Sequence, residues 1–217
     1  WAGLYVARKR YAAQIVGLEK ILAQDAVTNR CCREVLGGYV VAGIFLGFVT
    51  LFYFVGMKQL GIWTFPSTRY SNILGTYFPF LAPLSLSLMA ALSEEVTFRL
   101  FSISFLKRYL KITFFAVLIP ALIWAFAHSH YPVFPIYTRG IELTIIAFGF
   151  SYVFLRYGIL CCIVAHYVID AILFSIPLLR SSNVYFLISG VIVIVLIALP
   201  AAVGIFGQKG SVQEEGE

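Results

Sequence analysis

From Leu84, just after Pro83, to Leu106, just before Lys107-Arg108, the chain runs apolar for 23 residues with one polar break. At about 1.5 Å per helical residue, such a run crosses a hydrocarbon core of roughly 30 Å. The break is Ser93-Glu94-Glu95-Val96-Thr97-Phe98-Arg99, and it sets two acids near the bilayer midplane. A charge at that depth costs on the order of 2.5–3.5 kcal/mol on insertion scales. Any fold for this chain must therefore bring partners to Glu94 and Glu95. Glu95 and Arg99 are four apart with the acid first, so on a helix they share a face and can pair. Glu94 lies about 100° round the helix and points elsewhere. One acid reads as held, the other as available. The structural alternative is an ion-pair cluster that only packs helices together.

Composition decides the solvent. The chain is 61% hydrophobic and 12% charged, with mean hydropathy +0.91, which excludes a soluble globular domain. The expected fold is all-α: a polytopic membrane helix bundle of about six transmembrane helices plus an N-terminal amphipathic helix. The expected spans are residues 35–56, 84–106, 112–127, 141–155, 159–178 and 184–205. The net charge of +6 marks a cytoplasmic face rather than nucleic-acid binding, so the bilayer is the expected partner. With the N-terminus inside, eleven of the 16 Lys and Arg fall in interior segments, four in exterior loops, and Arg99 within the membrane. That bias places both termini in the cytoplasm.

Three units are expected: 1–34, amphipathic and juxtamembrane; 35–207, the membrane domain; and 208–217, a short acidic tail. The chain opens on Trp1 rather than Met, so residues 1–6 read as the end of an earlier apolar segment of a longer chain. Residues 25–34 read as a polar connector, 58–75 as an exterior loop with Pro66 and Arg69, and 77–83 as a bent lead-in. The four cysteines form two adjacent pairs without the spacing of a zinc or redox motif. Cys161-Cys162 reads as core filler, and juxtamembrane Cys31-Cys32 as a site open to S-acylation. The first span is glycine-rich (Gly37, Gly38, Gly43, Gly47), which favours close helix approach.

Two further polar groups lie in apolar surroundings. His166 and Asp170 are four apart on one face, so the carboxylate can fix the tautomer of the ring. His128 and His130 end the third span, and Glu142 reads as the mark of a helix start in the headgroup region. Counted from the cytoplasmic ends at about 1.5 Å per residue, Glu94 lies roughly 18 Å deep, Asp170 16 Å, His166 10 Å and His128 24 Å. Those depths leave convergence open.

Three pieces thus stand in order: Glu94-Glu95-x-x-x-Arg99, Trp124-x-x-x-His128 and His166-x-x-x-Asp170. This set resembles the CAAX protease and bacteriocin-processing family (CPBP, or Abi), which are intramembrane endopeptidases. The resemblance implies a catalytic set of Glu94, Glu95, Arg99, His128, His166 and Asp170. Glu94 takes the place of the water-activating glutamate and His128 of its partner histidine. Glu95 and Arg99 stand for the supporting pair, and His166 and Asp170 for the third motif. Two positions depart from the family pattern: Trp124 stands where Phe is usual, and Asp170 where Asn is frequent. An ionised Asp cannot donate to an oxyanion. Its open roles are to orient His166, to donate when protonated, or to join the histidines on a metal.

The implied activity is peptide-bond hydrolysis by an activated water, as in CAAX-type or bacteriocin-leader processing. The substrate is a peptide or protein, membrane-anchored or prenylated. No cofactor is required, although a divalent metal on Glu94, His128 and His166 stays open. Two rivals keep the same residues: a proton- or ion-coupled transporter, and a non-enzymatic immunity factor on the same fold.

Overall fold

The computed structural model describes residues 5, 7–25, 28–64 and 75–214, with side chains up to 206. Residues 65–74, including Pro66 and Arg69 of the expected exterior loop, and residues 1–4, 6, 26–27 and 215–217 lie outside the described residues.

Seven helices make up the described chain. Helix α1 (Ala12–Leu22) is amphipathic and buries Ile15 and Gly17. Helix α2 (Asn29–Gln59) begins where Thr28 Oγ1 accepts from the Cys31 N–H, an N-terminal cap. The expected connector at 25–34 is therefore mostly helix, and Cys31 and Cys32 are buried in its first turn. Their burial, at 1% and 3% exposure, removes them from acylation as the chain is folded.

Helix α3 (Leu81–Tyr109) is one continuous 29-residue rod. From Glu95 to Ile103 its winding relaxes to π-helix. The Ser102 hydroxyl donates to the Thr97 carbonyl, five residues back at 2.7 Å, instead of the usual four. Widened turns of this kind frequently occur at functional sites.

Helix α4 (Thr113–Ala127) contains Pro120. Two short strands, β1 (Trp63–Thr64) and β2 (Val133–Phe134), pair antiparallel, with the Trp63 and Phe134 rings stacked at 4.6 Å. Helices α5 (Tyr137–Tyr157) and α6 (Ile159–Leu179) meet at Gly158, whose φ of +110° is open chiefly to glycine. Helix α7 (Val184–Glu214) runs through position 208, where the sequence predicts a tail.

Five of these helices are long and apolar enough to cross a membrane: α2, α3, α5, α6 and α7. The third expected span, α4, has 15 residues, about 22 Å of helix, and falls short of a core of roughly 30 Å. It ends at His128, whose backbone N–H bonds the Ala125 carbonyl at 3.1 Å.

Helix α6 is the axis. In its most apolar stretch 61% of residues are buried, against 11% in α2, which faces outward. The first-span glycines divide accordingly. A Cβ at Gly38 would lie 2.7 Å from Val164 Cβ and 3.0 Å from the Cys161 carbonyl of α6. At Gly43 and Gly47 nothing lies within 4 Å, so only part of the expected close approach is made. Gly38→Ala is expected to cost about 1–3 kcal/mol through overpacking. Gly43→Ala is expected to gain about 0.5–1 kcal/mol through helix propensity. Melting of both variants in the same detergent checks the contrast.

Candidate active site

The polar groups converge on one wall of the bundle. Glu94 ends the regular part of α3 and Glu95 opens the π stretch, so the two acids leave the helix in different directions. Glu95 is fully buried and faces inward. Arg99, 2% exposed, donates from Nη1 to Glu95 Oε1 at 3.1 Å. Its guanidinium lies 4.3 Å from the Trp124 ring and 5.0 Å from the Phe150 ring, which seal it away from the cavity. A buried guanidinium is tolerable only when charge-paired and stacked in this way.

His166 of α6 sits between the acids. Nδ1 is 2.7 Å from Glu95 Oε1, while Nε2 is 3.5 Å from Asp170 Oδ2 and 3.9 Å from Glu94 Oε2. Both ring nitrogens thus face carboxylates, and only the doubly protonated imidazolium offers a donor to each.

His128, the residue that caps α4, turns the opposite way. Its Nδ1 lies 2.7 Å from the Trp124 carbonyl, which can only accept, so Nδ1 carries the proton. In the neutral ring Nε2 is then the lone pair, and it lies 4.0 Å from Glu94 Oε2. The Trp124 indole N–H donates to that same carboxylate oxygen. The indole thus makes a hydrogen bond that a phenyl ring at this position could not make.

Glu94, His128, His166 and Asp170 line one cavity of about 400 Å³ together with Arg139, Glu142, Trp124, Tyr131 and apolar side chains of α2, α3, α5 and α6. Glu95 and Arg99 lie behind it. All six candidate catalytic residues meet here, despite the scatter of depths counted along straight helices. Three features remove the scatter: α4 is short, α3 is unwound at the site, and α6 runs through the middle of the bundle. His130 does not join. Its Nδ1 bonds the Ala127 carbonyl at 2.9 Å and the residue faces outward. Among the described residues, no three His, Cys, Asp or Glu side chains gather closely enough to hold a metal ion.

Glu142 overturns the expectation of a headgroup marker. It is fully buried and lines the same cavity. Arg139 Nη1 donates to both its oxygens, at 2.8 and 2.7 Å, and the Tyr53 hydroxyl donates at 2.6 Å. The signal was present in the sequence. Arg139 and Glu142 are three apart at the head of an apolar run, the same kind of spacing that marks Glu95 and Arg99.

Residues 76–172 match the family model described as Type II CAAX prenyl endopeptidase Rce1-like. Over 135 residues the chain is 24% identical to the sporulation-killing factor biosynthesis protein SkfC of Bacillus subtilis (strain 168). That alignment takes in 62% of this chain and 27% of SkfC, so the match spans about a quarter of the relative's length. No solved structure matches the chain. All six candidate catalytic residues fall inside the matched stretch, which over residues 76–172 of this membrane protein is similar to the Rce1-like CAAX prenyl endopeptidase family.

Proposed function

We propose that the chain is an intramembrane endopeptidase in which Glu94 and His128 activate a water to attack a peptide carbonyl. One observation carries the reading: the two acceptors, Glu94 Oε2 and the His128 Nε2 lone pair, stand 4.0 Å apart at the cavity wall. That gap suits one water donating a hydrogen bond of about 2.8 Å to each. The family of the matched region consists of proteases, which supports hydrolysis over transport.

On this reading Glu94 takes the water proton as the oxygen attacks, then passes it to the leaving amine. His128 holds the second hydrogen and orients the lone pair. The His166 Nε2–H stabilises the tetrahedral oxygen, because a fixed donor in a water-poor site acts strongly on charge that develops there. Glu95, Arg99 and Asp170 are positioning residues: they hold the imidazolium and do not touch the reacting atoms. SkfC is named for the biosynthesis of a sporulation-killing factor and the matched family model for an endopeptidase, and the latter supports a peptide or small-protein substrate here. Transport would use the same carboxylates and histidines without breaking a bond.

The test is cleavage of labelled peptides by the purified chain in detergent, with and without a chelator. Turnover that survives chelation fits the water mechanism without a cofactor. Loss on chelation, restored by a divalent ion, would instead point to a metal on Glu94, His128 and His166. Absence of cleavage across prenylated tails, leader peptides and membrane-segment peptides sinks the reading.

Asp170 allows a sharper check. Asp170→Asn keeps an oxygen acceptor toward His166 Nε2, so cleavage is expected to stay within about tenfold of wild type. His166→Ala removes the oxyanion donor and is expected to cost about 10²–10³-fold in kcat. Comparable losses in both would show that Asp170 needs its charge.

A further inference from the structure

Two buried Glu–Arg pairs border this cavity, and the family motifs account for only one. Arg99 is sealed between Trp124 and Phe150 at 2% exposure. Arg139 is different. Its side chain keeps 21% exposure and lines the cavity beside Glu94, His128 and His166. A salt bridge whose only work is structural gains nothing from an open side, because water and ligands then compete for it.

The fork of Arg139 is only partly used. Nη1 alone serves both oxygens of Glu142, while Nε is buried and has no hydrogen-bond partner. Because Nε is buried, a carboxylate in the cavity reaches the guanidinium only through its terminal nitrogens, with a charge-assisted bond. The head is also fixed in place. Glu142, fully buried and held by the Tyr53 hydroxyl, pins it from behind, and the Tyr131 ring lies 5.3 Å below its Cζ. The same Tyr131 ring stacks on His128 at 5.9 Å. Arg139 therefore stands one aromatic ring from the residue that faces Glu94.

We propose that Arg139, held by Glu142 and Tyr53, is the anchor for a carboxylate of the peptide substrate in this cavity. The proposal rests on the endopeptidase reading. The chemistry supports an anion in particular. Apart from Arg139, the wall carries apolar and aromatic side chains, the carboxylates of Glu94, Glu142 and Asp170 and the rings of His128 and His166. The His166 ring already faces Glu94, Glu95 and Asp170, so an acidic group entering without a further cation would be repelled and desolvated. Arg139 offers that group charge-assisted bonds, and Glu142 keeps the guanidinium neutralised when the cavity is empty of substrate. The carboxylate can be the C-terminus of a chain or an acidic side chain, and the two sources are separable.

The experiment uses the full chain in detergent as Glu94→Gln, so that bound peptide is not consumed. Three fluorescent pentapeptide pools of matched apolar composition are titrated: free acids without Asp or Glu, their C-terminal amides, and amides carrying one Glu. A C-terminal anchor predicts that the acid pool binds at least about tenfold more tightly than the plain amides. A side-chain anchor predicts that preference for the Glu-bearing amides. Arg139→Gln should abolish the preference, and Arg139→Lys, which keeps the charge but not the fork, should keep only part of it.

Arg139→Gln alone leaves Glu142 buried without its cation and can fail to fold. The double variant Arg139→Gln with Glu142→Gln removes both charges, and it must melt near the parent and lose the preference. Equal binding of the three pools overturns the anchor and leaves the endopeptidase reading standing. A preference that survives in the double variant also overturns it. Acid-selective binding by a wild-type chain that cleaves nothing keeps the anchor and sinks the protease. Failure of every pool to bind sinks both.

Discussion

Glu94→Gln is expected to lower peptide cleavage by about 10²–10⁴-fold while the protein folds at least as well as wild type. The amide keeps the shape of the carboxylate, and its oxygen still accepts from the Trp124 indole. What it loses is the ability to take a proton from water. Stability should not fall, because the permanent cations at the site, Arg99 and Arg139, are engaged by Glu95 and Glu142 rather than Glu94. Replacing a part-buried carboxylate with a neutral amide also removes a desolvation cost. A merely structural Glu94 predicts the opposite: less folded protein, with whatever survives still active. Melting temperature and cleavage measured on one preparation separate the two. Near wild-type cleavage by Glu94→Gln would end the water-activation mechanism and bring the transporter and immunity-factor readings forward.

The second large effect is on folding. Glu95→Gln and Arg99→Leu should each destabilise the chain by about 3–5 kcal/mol, because each leaves a buried charge without its partner. Glu95 is fully buried and Arg99 2% exposed, so water cannot replace the missing group. Against a typical total of about 5–15 kcal/mol, such a loss lowers the yield of folded protein sharply. The two variants should differ in one respect. Glu95→Gln also weakens the 2.7 Å contact to His166 Nδ1, so its folded fraction should turn over poorly. Arg99→Leu leaves that contact in place. The double variant, with neither charge, should recover much of the stability. If both single variants melt like wild type, the pair contributes nothing to the fold.

These two predictions mark how far sequence reasoning reaches. The division of labour between Glu94 and Glu95 follows from their helical phase and from the four-residue spacing to Arg99. Phase and spacing are local, and they survive the relaxation of the helix to π winding. The span positions followed from apolar run lengths, since a bilayer leaves little choice beyond helices whose lengths match its thickness. Helix α4 is the exception. Its apolar composition reads as a span, but its 15 residues end where His128 turns into the cavity.

Depth was not legible. Residue counts along straight helices put Glu94, His128 and His166 at different levels, because tilt, a shortened helix and a widened turn are set by packing between helices. Nor was the fate of Glu142. Its place in the cavity depends on Tyr53, 89 residues earlier, arriving on a neighbouring helix. The sequence by itself determined the membrane class, the helices and the six polar residues of the three motifs, because hydropathy, phase and short spacings are local quantities. Only the tertiary structure decided that four of those residues share one cavity with Glu95 and Arg99 behind it, that Arg99 is sealed and Arg139 open, and which way each histidine ring faces. Those depend on contacts between residues far apart in the chain, which no local pattern encodes.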